Sequence, residues 1–307
     1  MVDRRSNVNK YKLDNVKPSK PDSRDRLASL PASGSLPSKV DLKPWANEVE
    51  DQLHLSSCTA NTGCSALELA YDRAGVAKDF SRLYLYWFTR FLGGIKEDDG
   101  AYPRDIGKAL NKYGVCLEPT WDYITSMVNE KPDDAAQAEA VEYPVFAYER
   151  IVGTTGFVNN QIKNALAQGI PVMAGLAIYE SFYGLDGDWQ THTWNTVESD
   201  TNQIDGYHMG LIIGYDDETE RFLVENSWGP YWGDGGFYGV PYSYTNNVFD
   251  EWWILKEIDV DYVAVGDDTD TPPVIVTPAD DDKKSKVMIG IAVAIAAIIA
   301  IVVISQG

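Results

Sequence analysis

The chain has 307 residues and carries 26 Lys+Arg against 46 Asp+Glu, a formal net charge of −20. That length can bury a sizeable core as one large domain or two ordinary ones, and 44% apolar with 12% aromatic residues excludes global disorder. The acidic balance excludes the cationic face that a nucleic-acid partner needs. Three cysteines, Cys58, Cys64 and Cys116, are too few for a disulfide scaffold, and the odd count leaves at least one free thiol.

The first 37 residues read as a leader or short pro-segment. Residues 1–30 hold eight Lys/Arg and four Asp, net +4, which leaves −24 for the remainder. This arm is either laid on the acidic body or solvated. It has a charged start but lacks the apolar stretch of a signal peptide.

A globular body follows, over residues 38–262. Ser56-Ser57 precede "CTANTGCSALELAYDRAG", in which Ala60, Cys64, Leu67 and Tyr71 share one helical face and Gly75 suits the stop. "SRLYLYWFTRFLGG" predicts a second helix, apolar on most sides. "YPRDIGKALNKYG" predicts a third, with Pro103 at its first position and Ile106, Ala109, Leu110 and Tyr113 in one stripe. "FVNNQIKNALAQG" predicts another. The second half then turns to short β-rich runs: "PVMAGLAIY", "HMGLIIGY", "RFLVENSW" and "GFYGV". Helices followed by strands indicate an α+β body rather than alternating βαβ units.

Residues 263–286 are rich in Pro, Thr and Asp and read as an extended linker. Residues 287–304, "VMIGIAVAIAAIIAIVVI", carry no charge and no polar face. As a helix they would measure about 27 Å, close to the roughly 30 Å hydrocarbon core of a bilayer. The expectation is a single transmembrane helix. Lys283, Lys284 and Lys286 flank its N-terminal side, which places the large body on the cytoplasmic face.

Phosphate and metal motifs fail. There is no Gly-rich phosphate loop, and His54, His192 and His208 lack paired ligand spacing with the cysteines, so no metal or other cofactor is expected. Cys58 differs from the other two thiols by standing at a helix start. Unpaired N–H groups and the positive dipole end favour a thiolate there. Cys64 and Cys116 read as small buried hydrophobes.

Cys58 also stands in a pattern. Gln52 lies six residues upstream; "DGYHMGLIIGYDD" with His208 and "LVENSWGPYWGDGGFYGV" with Asn226 lie downstream. Over roughly residues 36–257 these strings resemble the papain family of cysteine peptidases, in particular cathepsin-like members of intracellular microbes and large viruses. The resemblance implies a papain-like two-lobed α+β fold, with a helical lobe carrying Cys58, a β lobe carrying His208 and Asn226, and a cleft between. It implies a thiol peptidase, expected to be an endopeptidase, acting on polypeptides through a thioester. His208 would take the Cys58 proton and Asn226 would orient the imidazole under Trp228. The Cys58 N–H and the Gln52 amide would receive the oxyanion. Gly100, in "EDDGAY", would pair with substrate backbone.

Three positions depart from the family pattern: Leu55 where a cysteine is customary, Thr59 where a tryptophan follows the nucleophile, and Tyr207 where many relatives have glycine. Leu55 removes a customary disulfide, in keeping with a reducing compartment. Two further readings stand beside the peptidase: a catalytically silent peptide-binding scaffold at a membrane, and an acyl transferase using the same thiolate. Oligomeric state is not legible.

Overall fold

Among the described residues there are five α-helices, four of them where the spacing of apolar residues predicts amphipathic or buried segments. The first, α1 (Cys58–Arg73), ends just before Gly75, whose φ is +79°. In α2 (Arg82–Gly93) the Ser81 hydroxyl accepts the Tyr84 N–H at the start, and Gly94 adopts the left-handed region at the end. Pro103 opens α3 (Pro103–Tyr113). Two more follow, α4 (Asp134–Ala140), capped by Asp133, and α5 (Thr155–Ala167). The structure, a computed structural model, describes residues 11, 16–28, 30, 35–179, 182, 204–246 and 251–258. All of them fall in one unit, Met1–Asp268.

The strands are β1 (Lys39–Asp41), β2 (Val145–Ile151), β3 (Val172–Ile178), β4 (Gly206–Asp216), β5 (Arg221–Glu225), β6 (Phe237–Pro241) and β7 (Trp252–Ile258). They form one seven-stranded sheet, ordered β2-β7-β3-β4-β5-β6, with β1 added to β4. Every pairing is antiparallel. The polar "DDETE" run joins β4 to β5 as a hairpin, as its composition predicts.

The helix α1 is the centre of the molecule. It packs on α2 and α3 on one side and on β4 on the other. Its predicted stripe of Ala60, Cys64, Leu67 and Tyr71 is buried, but so are Asn61, Thr62 and Glu68. Contact on both sides leaves this helix little free face. The sheet side then holds β4 against it, which brings the start of α1 and the middle of β4 together.

The arm does not stand off the body. Val16 bridges Ala101 in parallel, and Leu27 bridges Arg150. Between these points Asp25 receives two bonds from the Arg104 guanidinium, each 2.6 Å, and lies 3.9 Å from Arg150. The Ser19 N–H donates to Glu251 at 2.5 Å. Residues 16–28 thus lie between α3 of the helical part and β2 and β7 of the sheet. Among the described residues no helix is long and apolar enough to cross a membrane. The predicted linker and span, 263–286 and 287–304, lie outside the described residues.

Candidate active site

His208 sits in β4, paired opposite Leu176 of β3, and is fully buried. Asn226 follows the last residue of β5, the strand on the other side of β4. Their side chains meet, with His208 Nε2 2.7 Å from Asn226 Oδ1. The same oxygen accepts the Ser227 N–H at 2.8 Å, which fixes the amide with its oxygen toward the ring. Nε2 must therefore carry the proton and Nδ1 the lone pair. Nδ1 has no hydrogen-bond partner among the described residues.

Trp228 covers this pair, its ring centroid 5.3 Å from the imidazole, and Phe182 lies 6.0 Å from the same ring. Both exclude water from the His208–Asn226 bond. A residue of the arm completes the cover. Tyr11 stacks on Trp228 at 4.4 Å with 5° between planes, and its hydroxyl donates to the Trp228 carbonyl at 3.1 Å.

Cys58 is the first residue of α1 and is buried. The backbone N–H groups of Met209, Thr59 and Cys58 face the thiol and favour its charged form. The Met209 N–H puts the thiol beside the residue that follows His208. Desolvation outweighs these donors and pushes the thiol up to about 12. The same cause pulls the His208 imidazole down to about 4, against the bond to Asn226. With the site buried and Tyr11 over Trp228, both shifts favour the neutral thiol and the neutral imidazole.

Gln52 is fully buried six residues before Cys58. The Ser227 hydroxyl donates to its Oε1 at 2.6 Å, and its Nε2 donates to the Leu55 carbonyl at 2.8 Å. The amide is thereby oriented with one N–H left over. Leu53, at φ +56°, makes the tight turn that brings Leu55 back to this amide. The Tyr123 hydroxyl closes the loop, donating to the Gln52 carbonyl at 2.9 Å and lying 2.5 Å from the Ser57 hydroxyl.

The structure thus brings Cys58, His208, Asn226 and Gln52 to one place, on three separate stretches of chain. Gly100 is buried at φ +66°, and its N–H is taken by the Tyr86 hydroxyl at 3.1 Å. The neighbouring Ala101 makes the extended pairing: its carbonyl accepts the Lys17 N–H at 3.1 Å. Tyr207, half-buried, pairs opposite Ala177. His54 is exposed, and His192 lies outside the described residues. Sequence reasoning did not single out Ser227, Tyr123 or Tyr11. Ser227 stands inside the Asn-Ser-Trp string; nothing local marks the other two.

A buried thiol at a helix start, an imidazole held by an asparagine amide and a covering tryptophan are the arrangement that the family resemblance leads one to expect of a thiol peptidase. The sequence profile of the papain family cysteine proteases matches residues 36–249, and the chain belongs to that family. It is 34% identical over 244 residues to an uncharacterized peptidase C1-like protein of Acanthamoeba polyphaga mimivirus, covering 76% of this chain and 78% of that one. Cathepsin L of Sarcophaga peregrina is 30% identical over 227 residues, 67% of this chain and 59% of that protein. Among solved structures, xylellain, a cysteine protease from Xylella fastidiosa, matches with a TM-score of 0.70 at 29% identity, over 80% of this chain and 97% of that one.

Proposed function

We propose that this chain is a thiol endopeptidase that cleaves polypeptides through Cys58, His208, Asn226 and Gln52, is held closed by its own N-terminal arm, and works tethered to a membrane by residues 287–304 with its body facing the cytoplasm. The observation that carries the chemistry is the 2.7 Å bond from His208 Nε2 to Asn226 Oδ1, which leaves Nδ1 as the basic nitrogen.

The reaction follows from that tautomer. Nδ1 takes the Cys58 proton and Sγ attacks the scissile carbonyl carbon. The oxyanion that forms is received by the Cys58 N–H and the remaining Gln52 N–H. Collapse breaks the C–N bond, and His208 returns its proton to the departing amine. Water then attacks the thioester, again deprotonated by His208, and frees the acid and the thiol. Charge separation between thiolate and imidazolium is unfavourable while the site is buried. Displacement of Tyr11 from Trp228 admits solvent and substrate and lowers that cost.

The arm reading is supported by Tyr11 on the lid and by Val16–Lys17 on the Ala101 edge, where an extended substrate strand would pair. The tether reading is supported by the uncharged run at 287–304 and the three lysines before it. An internally quenched peptide tests the activity. Wild type is expected to cleave it and Cys58→Ala to be inert. Turnover by Cys58→Ala would remove the assignment, and amide exchange onto an added amine in preference to hydrolysis would move it to acyl transfer.

A further inference from the structure

One half-buried polar hub lies outside the reacting groups. Asp98 belongs to the stretch between α2 and α3. A single oxygen of its carboxylate, Oδ1, accepts the Ser56 N–H at 2.8 Å and the Tyr86 hydroxyl at 2.8 Å. Its own carbonyl accepts the Ser56 hydroxyl at 3.4 Å. The Tyr86 hydroxyl in turn accepts the Gly100 N–H. Ser56 stands two residues before the nucleophile. Gly100 stands one residue before Ala101, the edge that already pairs with an extended segment.

Two stretches of chain thus converge on one carboxylate oxygen: the turn that delivers Cys58 and the turn that delivers the cleft edge. No covalent bond does this work, because Cys58, Cys64 and Cys116 are all free. A carboxylate suits the task, since a charged acceptor holds two donors more strongly than a neutral one. Its presence also has a cost. The Asp98 charge opposes formation of the Cys58 thiolate.

Given the peptidase reading, on which the inference rests, we propose that Asp98 is a positioning residue that sets the spacing between Cys58 and the substrate edge at Gly100–Ala101, through Ser56 on one side and Tyr86 on the other. Neither Asp98 nor Tyr86 touches the reacting atoms. Loss of the Tyr86 hydroxyl releases only the substrate side of the hub, whereas loss of the Asp98 carboxylate releases both sides.

The test uses the full chain with three substitutions: Asp98→Ala, Asp98→Asn and Tyr86→Phe. Tyr86→Phe should raise KM several-fold while kcat holds. Asp98→Ala should lower kcat and raise KM together, a loss in kcat/KM of about tenfold or more, since small misplacements at a reacting centre are costly. Asp98→Asn keeps an acceptor oxygen in the same place and should recover most of that loss. A purely structural role would lower Tm without splitting kcat from KM, and that outcome overturns the proposal. So does an Asp98→Ala enzyme with wild-type kinetics, or an Asp98→Asn enzyme as impaired as Asp98→Ala. If the wild type hydrolyses nothing, the peptidase reading falls on its own, and the rate of Cys58 alkylation by iodoacetamide reads the hub instead. Both Asp98 variants remove the charge, so faster alkylation in Asp98→Asn than in Asp98→Ala supports positioning, and equal rates contradict it. Should Asp98→Ala fail to fold, Tyr86→Phe decides through its KM.

Discussion

Asn226 shows how few atoms decide the chemistry: one amide oxygen, held by the Ser227 N–H, sets the tautomer of His208. Gln52 is oriented in the same manner by the Ser227 hydroxyl. Gln52→Ala should therefore lower kcat by about 10²-fold with little change in KM, because the amide meets the substrate oxygen chiefly in the transition state; a wild-type kcat would remove Gln52 from the site. A second residue-scale expectation concerns pH. Burial raises Glu68 to about 8 and Glu225 to about 7, from an ordinary 4.5. Above 4.5 the unfolded chain loses protons that the folded one retains, so their contribution is lost as pH climbs to about 8. His208 acts oppositely but only below 6.5, where the unfolded imidazole binds a proton first. Between pH 6.5 and 8 the His208 contribution is constant while the two glutamates still lose theirs, so Tm should fall. Glu68→Gln, which keeps an acceptor for the Phe80 N–H, should flatten that fall; a Tm that rises across this window would contradict the assignment. Cys58, His208, Asn226 and Gln52, which the structure brings together, could be picked out because each sits in a short distinctive string. The residues that orient them could not. Ser227 reaches Gln52 across 175 positions and Tyr123 reaches it across 71, and no local pattern records such partners.

At the scale of elements, the longer helices were legible and the strands β2 and β7 were not. The stops at Gly75 and Gly94 and the start at Pro103 fall where their backbone chemistry puts them. By contrast β2 and β7 carry charged residues among the apolar ones, with Glu149 and Lys256 paired across the two strands, so neither read as a clean run. The short helix α4, seven residues, offers too few turns for a stripe. Packing between elements is set by a feature that spacing alone does not show. A Cβ on Gly107 of α3 would stand 2.3 Å from the Tyr148 ring and 2.8 Å from its Cβ on β2. That close approach joins the helical part to the sheet. Gly107→Ala should destabilise the fold by about 1–3 kcal/mol through overpacking, despite the better helix propensity of alanine, and chemical denaturation reads the change. An unchanged midpoint would mean that α3 can shift without loss.

For the whole molecule, the +4 arm and −24 remainder left both contact and solvation open. The structure divides the arm into two roles. Tyr11 lies on the lid, while Asp25 is clasped by Arg104, both nearly buried. Removing residues 1–15 should raise activity, whereas Asp25→Ala should cost about 3–5 kcal/mol by leaving the Arg104 charge buried without its carboxylate. Salt should change the second effect little, since buried pairs are weakly screened; a steep salt dependence would mean that the arm is held by surface charge. If residues 287–304 form the proposed tether, the full chain should stay with membranes through a carbonate wash, and a chain ending at residue 261 should be soluble and equally active on short peptides. Release by carbonate would end the tether reading and leave the peptidase untouched. The central claim is that Cys58 alone is the nucleophile, activated by His208 once the arm is displaced. Its most direct test is labelling with an epoxysuccinyl peptide at about pH 6, followed by mapping of the modified residue, in the full chain and in the chain lacking residues 1–15. The account predicts modification of Cys58 only, faster in the shortened chain and abolished by His208→Ala. Equal modification of Cys58, Cys64 and Cys116, or a rate indifferent to His208, would contradict it.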